Sequence, residues 1–246
     1  LPFYEPVRLA EDLAVLDVLS RGRVSYVIGL GYRDEEFAMF GVERRGRGRR
    51  AEETIRFLRR AWTGEPLEHE GRTVRVVPAP FTPGGPMLML GGGSAAAARR
   101  AARLGLGFYA QTSEHDVERI YREECASLGI PPGPCLVPPP GTVTTAFVAE
   151  DVDRAWQEIG RHLLHDARMY TEWMAGGASA VNVAATSVEE LRAEQGAYRI
   201  FSVDEAVEYV RRNGILLTQP LCGGLPPELA WRSLRLIAER VLPALG

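Results

Sequence analysis

The segment from Pro86 to Arg100, PMLMLGGGSAAAARR, is an apolar run that stops at Gly91, Gly92 and Gly93, after which Ser94 opens an alanine-rich helix. A strand, a glycine turn and a helix N-terminus in that order can build an anion cradle. Glycines let the backbone approach a phosphate, and the first-turn N–H groups and the helix dipole point at it. Ser94 suits the N-cap position, where its hydroxyl serves either the helix or a ligand. An ordinary βα turn carries the same signature, so the segment alone leaves both readings open. Glycines and polar residues also follow other apolar runs, at Gly29 and Gly31, at Gln111, Thr112 and Ser113, and at Gly223 and Gly224.

His162 and His165 stand three apart in a helical stretch and are followed by Asp166. That spacing puts both imidazoles on one face, but no third ligand at sensible spacing accompanies them, and no metal site is expected. The stretch reads either as plain packing or as a helix over a pocket mouth, with His165 and Tyr170 as the candidate pocket residues. His69 and His115, in hairpin and helix-start positions, are expected at the surface. The arginine run from Arg44 to Arg50 is interrupted by Gly46 and Gly48 and leads into an acidic helix, which favours a solvated helix entrance over an anion patch. Trp62, Trp156, Trp173 and Trp231 fall on helices and read as packing anchors.

The chain that must position these groups has 246 residues, 46% hydrophobic and 25% charged, an ordinary globular composition. With 29 basic against 32 acidic residues, no nucleic-acid or membrane partner is expected. Every basic side chain is arginine, which excludes a Schiff-base or P-loop lysine within this chain. Cys125, Cys135 and Cys222 lack C-x-x-C spacing and read as reduced thiols in a cytoplasmic protein. No apolar run approaches the ~20 residues that cross a bilayer, and no signal-peptide pattern is present. Leu1 rather than methionine opens the sequence, so the reading frame is expected to extend upstream.

Apolar residues at helical spacing predict helices over 6–20, 46–63, 94–104, 114–128, 151–173, 203–212 and 227–245. Strands are expected at 24–29, 86–91, 107–111, 142–149 and 215–219, a hairpin excursion at 65–85, a rigid proline-rich connection at 131–140, and a mobile loop region at 174–200. Alternating strands and helices mean a parallel sheet covered by helices. With glycines and polar residues gathered after the strand ends, the pattern suits the active-site face of a (β/α)8 barrel, although only five barrel-grade strands are legible.

Taken together, these landmarks resemble the luciferase-like monooxygenases, a family of flavin- or deazaflavin-dependent oxidoreductases. The resemblance rests on YEPVRLAED from Tyr4 to Asp12, LDVLSRGRV from Leu16 to Val24, and Gly29-Leu30-Gly31-Tyr32 with Glu36-Phe37. It continues through GRGR from Gly46 to Arg49 with Glu53, LRRAWTGEP from Leu58 to Pro66, Gly91-Gly92, AARLG from Ala101 to Gly105, and QPLCGGLPPE from Gln219 to Glu228.

The resemblance implies one TIM barrel domain over residues 1–246 holding only the fourth to eighth βα units, an N-terminally truncated member. It places Gly29 and Gly31 beside the cofactor and Glu36 near its tail. Gly91, Gly92 and Gly93, with Ser94, would lie along the ring or the ribityl-phosphate chain, and Gln111, Thr112 and Ser113 at the phosphate. Two departures stand out: Gly105-Leu106-Gly107 replaces a usual Gly-Asp-Gly, and Glu114 stands where sugar-phosphate-using relatives have lysine. The second argues against a phosphorylated substrate, because like charges disfavour each other. The implied activity is FMN-dependent oxygenation of a small, largely apolar organic substrate, with a flavin reductase as a partner. The alternatives are hydride transfer with coenzyme F-420 and a non-catalytic scaffold. A homodimer is expected.

Overall fold

The computed structural model of the chain describes residues 1–113, 116–139, 141–173 and 183–246. The chain forms two compact units, Leu1–Val137 and Pro138–Gly246.

In the first unit, Pro6 sits in the opening turn of α1 (Pro6–Ser20), and the Glu5 carboxylate caps that turn by accepting the Arg8 N–H at 2.7 Å. Arg21 and Gly22, at φ 54° and 74°, terminate the helix. Then follow β1 (Tyr26–Ile28), α2 (Asp34–Met39) and α3 (Arg47–Ala61). A short hairpin pairs β2 (Leu67–His69) with β3 (Arg72–Val74), antiparallel. It lies inside the expected 65–85 excursion. Next come β4 (Leu88–Gly92), α4 (Ala95–Arg103), β5 (Gly107–Ala110), α5 (Asp116–Ser127) and β6 (Cys135–Leu136). The strands lie in the order β1-β4-β5-β6, all parallel, with Ile28 opposite Leu90 and Gly92 opposite Ala110. Parallel neighbours need crossover connections, which α4 and α5 supply between successive strands.

One side of this sheet is closed by Ile55, Leu58, Leu90, Ala98, Ala101 and Phe108, all fully buried. Trp62 joins that core and donates its indole N–H to the Ala10 carbonyl at 3.0 Å, as its expected anchoring role requires. Asp17 is buried on α1 and accepts both the Thr82 N–H at 2.7 Å and the Thr82 hydroxyl at 3.0 Å. That pair ties the excursion back onto α1.

The second unit contains β7 (Thr145–Val148), α6 (Val152–Trp173), α7 (Val188–Glu194), β8 (Tyr198–Phe201) and α8 (Val203–Asn213). A 3-10 turn at Cys222–Gly224 precedes α9 (Pro227–Leu236), a π turn at Ile237–Val241, and α10 (Leu242–Leu245). β7 and β8 run parallel, with Thr145 opposite Tyr198 and Phe147 opposite Ile200. Ser202 and Glu205 form a reciprocal capping box at the start of α8.

Three expectations are corrected. The apolar run 215–219 is not a strand: Ile215 is exposed, the Leu217 carbonyl takes one hydrogen bond from the Ala146 N–H, and β7 makes its ladder with β8 instead. The proline-rich connection carries β6, which pairs with β5. The stretch 174–200 carries α7 and β8 in its later part, while residues 174–182, like Glu114 and His115, lie outside the described residues. The architecture is α/β with parallel strands.

Candidate functional site

In the first unit the C-terminal ends of β1, β4 and β5 lie side by side, bringing Gly29, the Gly91–Gly93 turn and the segment from Gln111 to Ser113 to one edge. The Gln111 N–H donates to the Gly92 carbonyl at 3.2 Å, so the last two members are hydrogen-bonded neighbours.

The three adjacent glycines do different work. A Cβ on Gly91 would lie 3.2 Å from Val27 Cγ1, which makes it the contact toward β1. A Cβ on Gly92 would come within 2.6 Å of the Ala97 methyl, so this glycine lets α4 sit directly on β4. Gly93 is exposed, and a Cβ there would make only ordinary contact, its nearest neighbour being the Thr112 methyl at 3.7 Å. A Cβ on Gly29 would meet nothing within 4 Å, while the Gly29 carbonyl accepts the Leu1 ammonium at 2.9 Å. Gly31 holds φ 72° with the Phe37 ring 3.1 Å from its would-be Cβ, a position that a side chain would strain.

Ser94 is the N-cap of α4, and its hydroxyl accepts the Ala97 N–H at 3.3 Å. The first amide returned to the helix is that of Ala98, bonded to the Ser94 carbonyl at 3.0 Å. The amides of Ser94, Ala95 and Ala96 therefore have no intrahelical acceptor, and they sit at the positive end of the helix dipole. Thr112 is buried next to Gly93, whereas Gln111 and Ser94 are exposed at the rim. Burial raises the Tyr109 phenol above its ordinary value, keeping it protonated at neutral pH. Glu36 lies on α2 and accepts the Arg33 guanidinium at 3.2 Å.

The other two nominated residues lie on α6, in the second unit. His165 is exposed; Tyr170 is half-buried with an edge contact to Trp173 at 5.8 Å. The specific contacts belong to neighbours that sequence reasoning did not nominate. His162 Nδ1 lies 2.9 Å from the Gly223 carbonyl oxygen, and the Gly223 N–H donates to Asp166 at 3.2 Å. The other Asp166 oxygen accepts the Tyr198 hydroxyl at 2.8 Å. Burial, then the Asp166 charge, push the Tyr198 phenol up, and the same two causes raise the Cys222 thiol to about 12. The available signal was Asp166 four residues after His162 and facing the Gly223-Gly224 pair. Among the described residues no group of three or more His, Cys, Asp and Glu side chains is placed to hold a metal, and no helix is long and apolar enough to cross a membrane.

The family model of the luciferase-like monooxygenases matches residues 1–211. The chain belongs to that family. An uncharacterized protein of Mycobacterium tuberculosis is 29% identical over 120 residues, 47% of this chain and 43% of the relative. This chain thus matches less than half the length of that relative. Among solved structures, the monooxygenase RslO1 from Streptomyces bottropensis superposes with a TM-score of 0.57 at 21% identity, covering 99% of this chain and 75% of that one. An F420-dependent secondary alcohol dehydrogenase, solved with an F420-acetone adduct, gives a TM-score of 0.56 at 15% identity over 99% of this chain and 76% of that one. At those identities the likeness is one of fold. It matches the α/β architecture with parallel strands described above.

Proposed function

We propose that this luciferase-like chain is an oxidoreductase that binds FMN at the ends of β1, β4 and β5 and oxygenates a small, largely apolar organic substrate. The observation that carries the reading is the side-chain-free edge formed by Gly29 and Gly93 beside the amides of Ser94, Ala95 and Ala96, which have no intrahelical acceptor. A planar ring needs backbone without side chains, and a phosphate needs converging N–H donors; this edge offers both. In this reading the βα units are the fourth to eighth of a (β/α)8 barrel, whose strand C-terminal face is where such sites are built.

When bound, the flavin supplies the redox chemistry. The residues of the chain bind and orient it. The amides at the start of α4 and the Ser94 hydroxyl hold the phosphate, with the Thr112 hydroxyl on the adjoining turn. Gly29 leaves room for the ring, while Gly31 shapes the loop beside it against Phe37. Leu90 and Phe108, fully buried beneath the turn, keep the amides in place and exclude water from below.

A second reading, hydride transfer with coenzyme F-420, draws support from the alcohol dehydrogenase whose fold this chain shares. It uses the same edge but no oxygen and no flavin reductase. Two assays separate them. Oxygen uptake driven by a flavin reductase and FMN, with a panel of aldehydes and ketones, is expected in the first reading. Bleaching of the oxidised deazaflavin by a panel of alcohols is expected in the second. Neither activity, together with no binding of either cofactor, would leave a non-catalytic scaffold.

A further inference from the structure

Tyr109 stands on β5, and the burial of its neighbours fixes the way it points. Phe108 and Ala110 are buried, and Phe108 stacks on Tyr121 of α5 with ring centroids 5.9 Å apart, so these two face the helix layer. Side chains alternate along a strand, so Gly107 and Tyr109 face the opposite side of the sheet. Tyr109 lies opposite Gly91 of β4 on one side and opposite Leu136 of β6 on the other. Met89 and Gly91 share that face by the same alternation. A Cβ on Gly91 would stand 3.2 Å from Val27 Cγ1 of β1, which brings Val27 to it as well.

The face so formed is apolar and accessible. Val27 is 51% exposed and Leu136 46%, and Gly91 and Tyr109 both keep part of their surface open. Met89 folds over Gly107, its Cγ 2.9 Å from a Cβ built there, and leaves Gly91 bare. With neighbouring strands about 4.8 Å apart, Val27 and Tyr109 bracket Gly91 across about 10 Å, a slot with a floor free of side chains.

Of these side chains only Tyr109 carries a hydrogen-bonding group, and among the described residues its hydroxyl has no partner. Other phenols of the chain are engaged: Tyr26 donates to the Leu13 carbonyl at 3.1 Å, Tyr121 to the Leu106 carbonyl at 2.7 Å and Tyr198 to Asp166 at 2.8 Å. Because burial raises its pKa, the Tyr109 hydroxyl keeps its proton at neutral pH and is a donor. One donor in an apolar slot suits a flat, apolar ligand with an oxygen acceptor. A carbonyl fits that place better than a carboxylate, whose charge would be desolvated against a single donor.

We infer that the Tyr109 hydroxyl donates to a carbonyl oxygen of a planar ligand that lies across Gly91 against Val27. The inference rests on the reading of this edge as a cofactor and substrate site. A flavin ring and an aromatic ketone share that chemistry, and two probes separate them.

The test is equilibrium titration of the full chain with FMN, and with acetophenone before and after FMN is added. It compares the parent with Tyr109→Phe and with Tyr209→Phe, which removes a partly buried phenol hydroxyl from the second unit. Tyr109→Phe takes away an oxygen that no described residue uses, so its melting temperature should stay within about 2 °C of the parent. Loss of one neutral hydrogen bond to the ligand should weaken affinity about two- to tenfold. Weaker FMN binding assigns the hydroxyl to the flavin ring. Unchanged FMN binding with weaker acetophenone binding to the loaded chain assigns it to the substrate. Tyr209→Phe should leave both affinities unchanged, and an equal weakening there overturns the inference. If FMN binds the parent and no affinity falls in Tyr109→Phe, the inference is overturned while the cofactor edge stands. Acetophenone binding that weakens in Tyr109→Phe, with no FMN bound by the parent, keeps Tyr109 as the donor and overturns the cofactor reading instead. Binding of neither probe by the parent overturns both.

Discussion

Substituting alanine for Gly92 or for Gly93 separates a glycine needed by the fold from one needed by the ligand. A Cβ on Gly92 would stand 2.6 Å from the Ala97 methyl. Carbon atoms in van der Waals contact sit about 3.5–4.0 Å apart, so α4 must retreat by about 1 Å. Its buried face, Ala97, Ala98, Ala101 and Ala102, carries no long side chain that could yield instead. Overpacking of this kind costs about 1–3 kcal/mol. Each kcal/mol lowers Tm by about 2–4 °C in a chain of this size, so Gly92→Ala should melt roughly 2–12 °C lower. At Gly93 the nearest atom to a Cβ is 3.7 Å away and φ lies outside the left-handed region. Gly93→Ala should therefore change stability by no more than about 0.5 kcal/mol. Its added methyl occupies the space proposed for the cofactor, so FMN affinity falls while Tm holds. Differential scanning calorimetry and a flavin fluorescence titration read the two quantities. A Gly92→Ala protein that melts with the parent would refute the packing argument, and a Gly93→Ala protein that melts well below it would refute the division of roles.

Three further outcomes follow from other parts of the chain. Asp17→Ala leaves the Thr82 N–H and hydroxyl unpaired against a buried cavity and should cost about 2–4 kcal/mol in denaturant unfolding; a cost below about 0.5 kcal/mol would show that the tie to the excursion contributes nothing. Hydrogen bonding to the Ser202 N–H lowers the Glu205 pKa below its ordinary 4.5. Its contribution is therefore complete above about pH 4.5 and fades as pH falls through the lowered value, so Glu205→Gln should flatten the acid limb of the stability–pH curve and leave its shape above pH 6 unchanged. Cys222, raised to about 12 and buried, should resist a disulfide reagent at pH 8 until the protein is unfolded; labelling at the rate of a free thiol would contradict that environment.

The helices were legible because each announces itself locally. Pro6 at the start of α1 and Arg21-Gly22 at its end mark boundaries that the structure reproduces at Pro6 and Ser20. The Ser94 N-cap was equally plain. Strand pairing was less so, since it depends on partners remote in sequence. Ile215 to Gln219 is apolar enough for a strand, yet β7 takes Tyr198–Phe201 as its ladder partner. Those four residues favour strand, but they stand in a stretch of small and polar residues that reads as loop. β6 is only two residues long within a run of prolines, and its pairing with Phe108 and Tyr109 leaves no periodic signal.

At the candidate site the glycine cluster was visible, but the different tasks of Gly91, Gly92 and Gly93 were not. Those are fixed by Val27, Ala97 and Thr112, which approach from three other elements. The clasp of His162 and Asp166 on Gly223 was hidden for the same reason. A Cβ on Gly223 would collide with the His162 carbonyl oxygen, a contact that exists only once α6 and the 3-10 turn are packed.

The most direct test of the cofactor edge is an equilibrium titration of the full chain with FMN and with coenzyme F-420, repeated on Gly93→Val. The account predicts saturable binding of at least one cofactor by the parent and a loss of roughly tenfold or more in the variant, with the melting temperature preserved. Cofactor binding that is unaffected by the valine would place the ligand elsewhere and contradict the assignment of this edge.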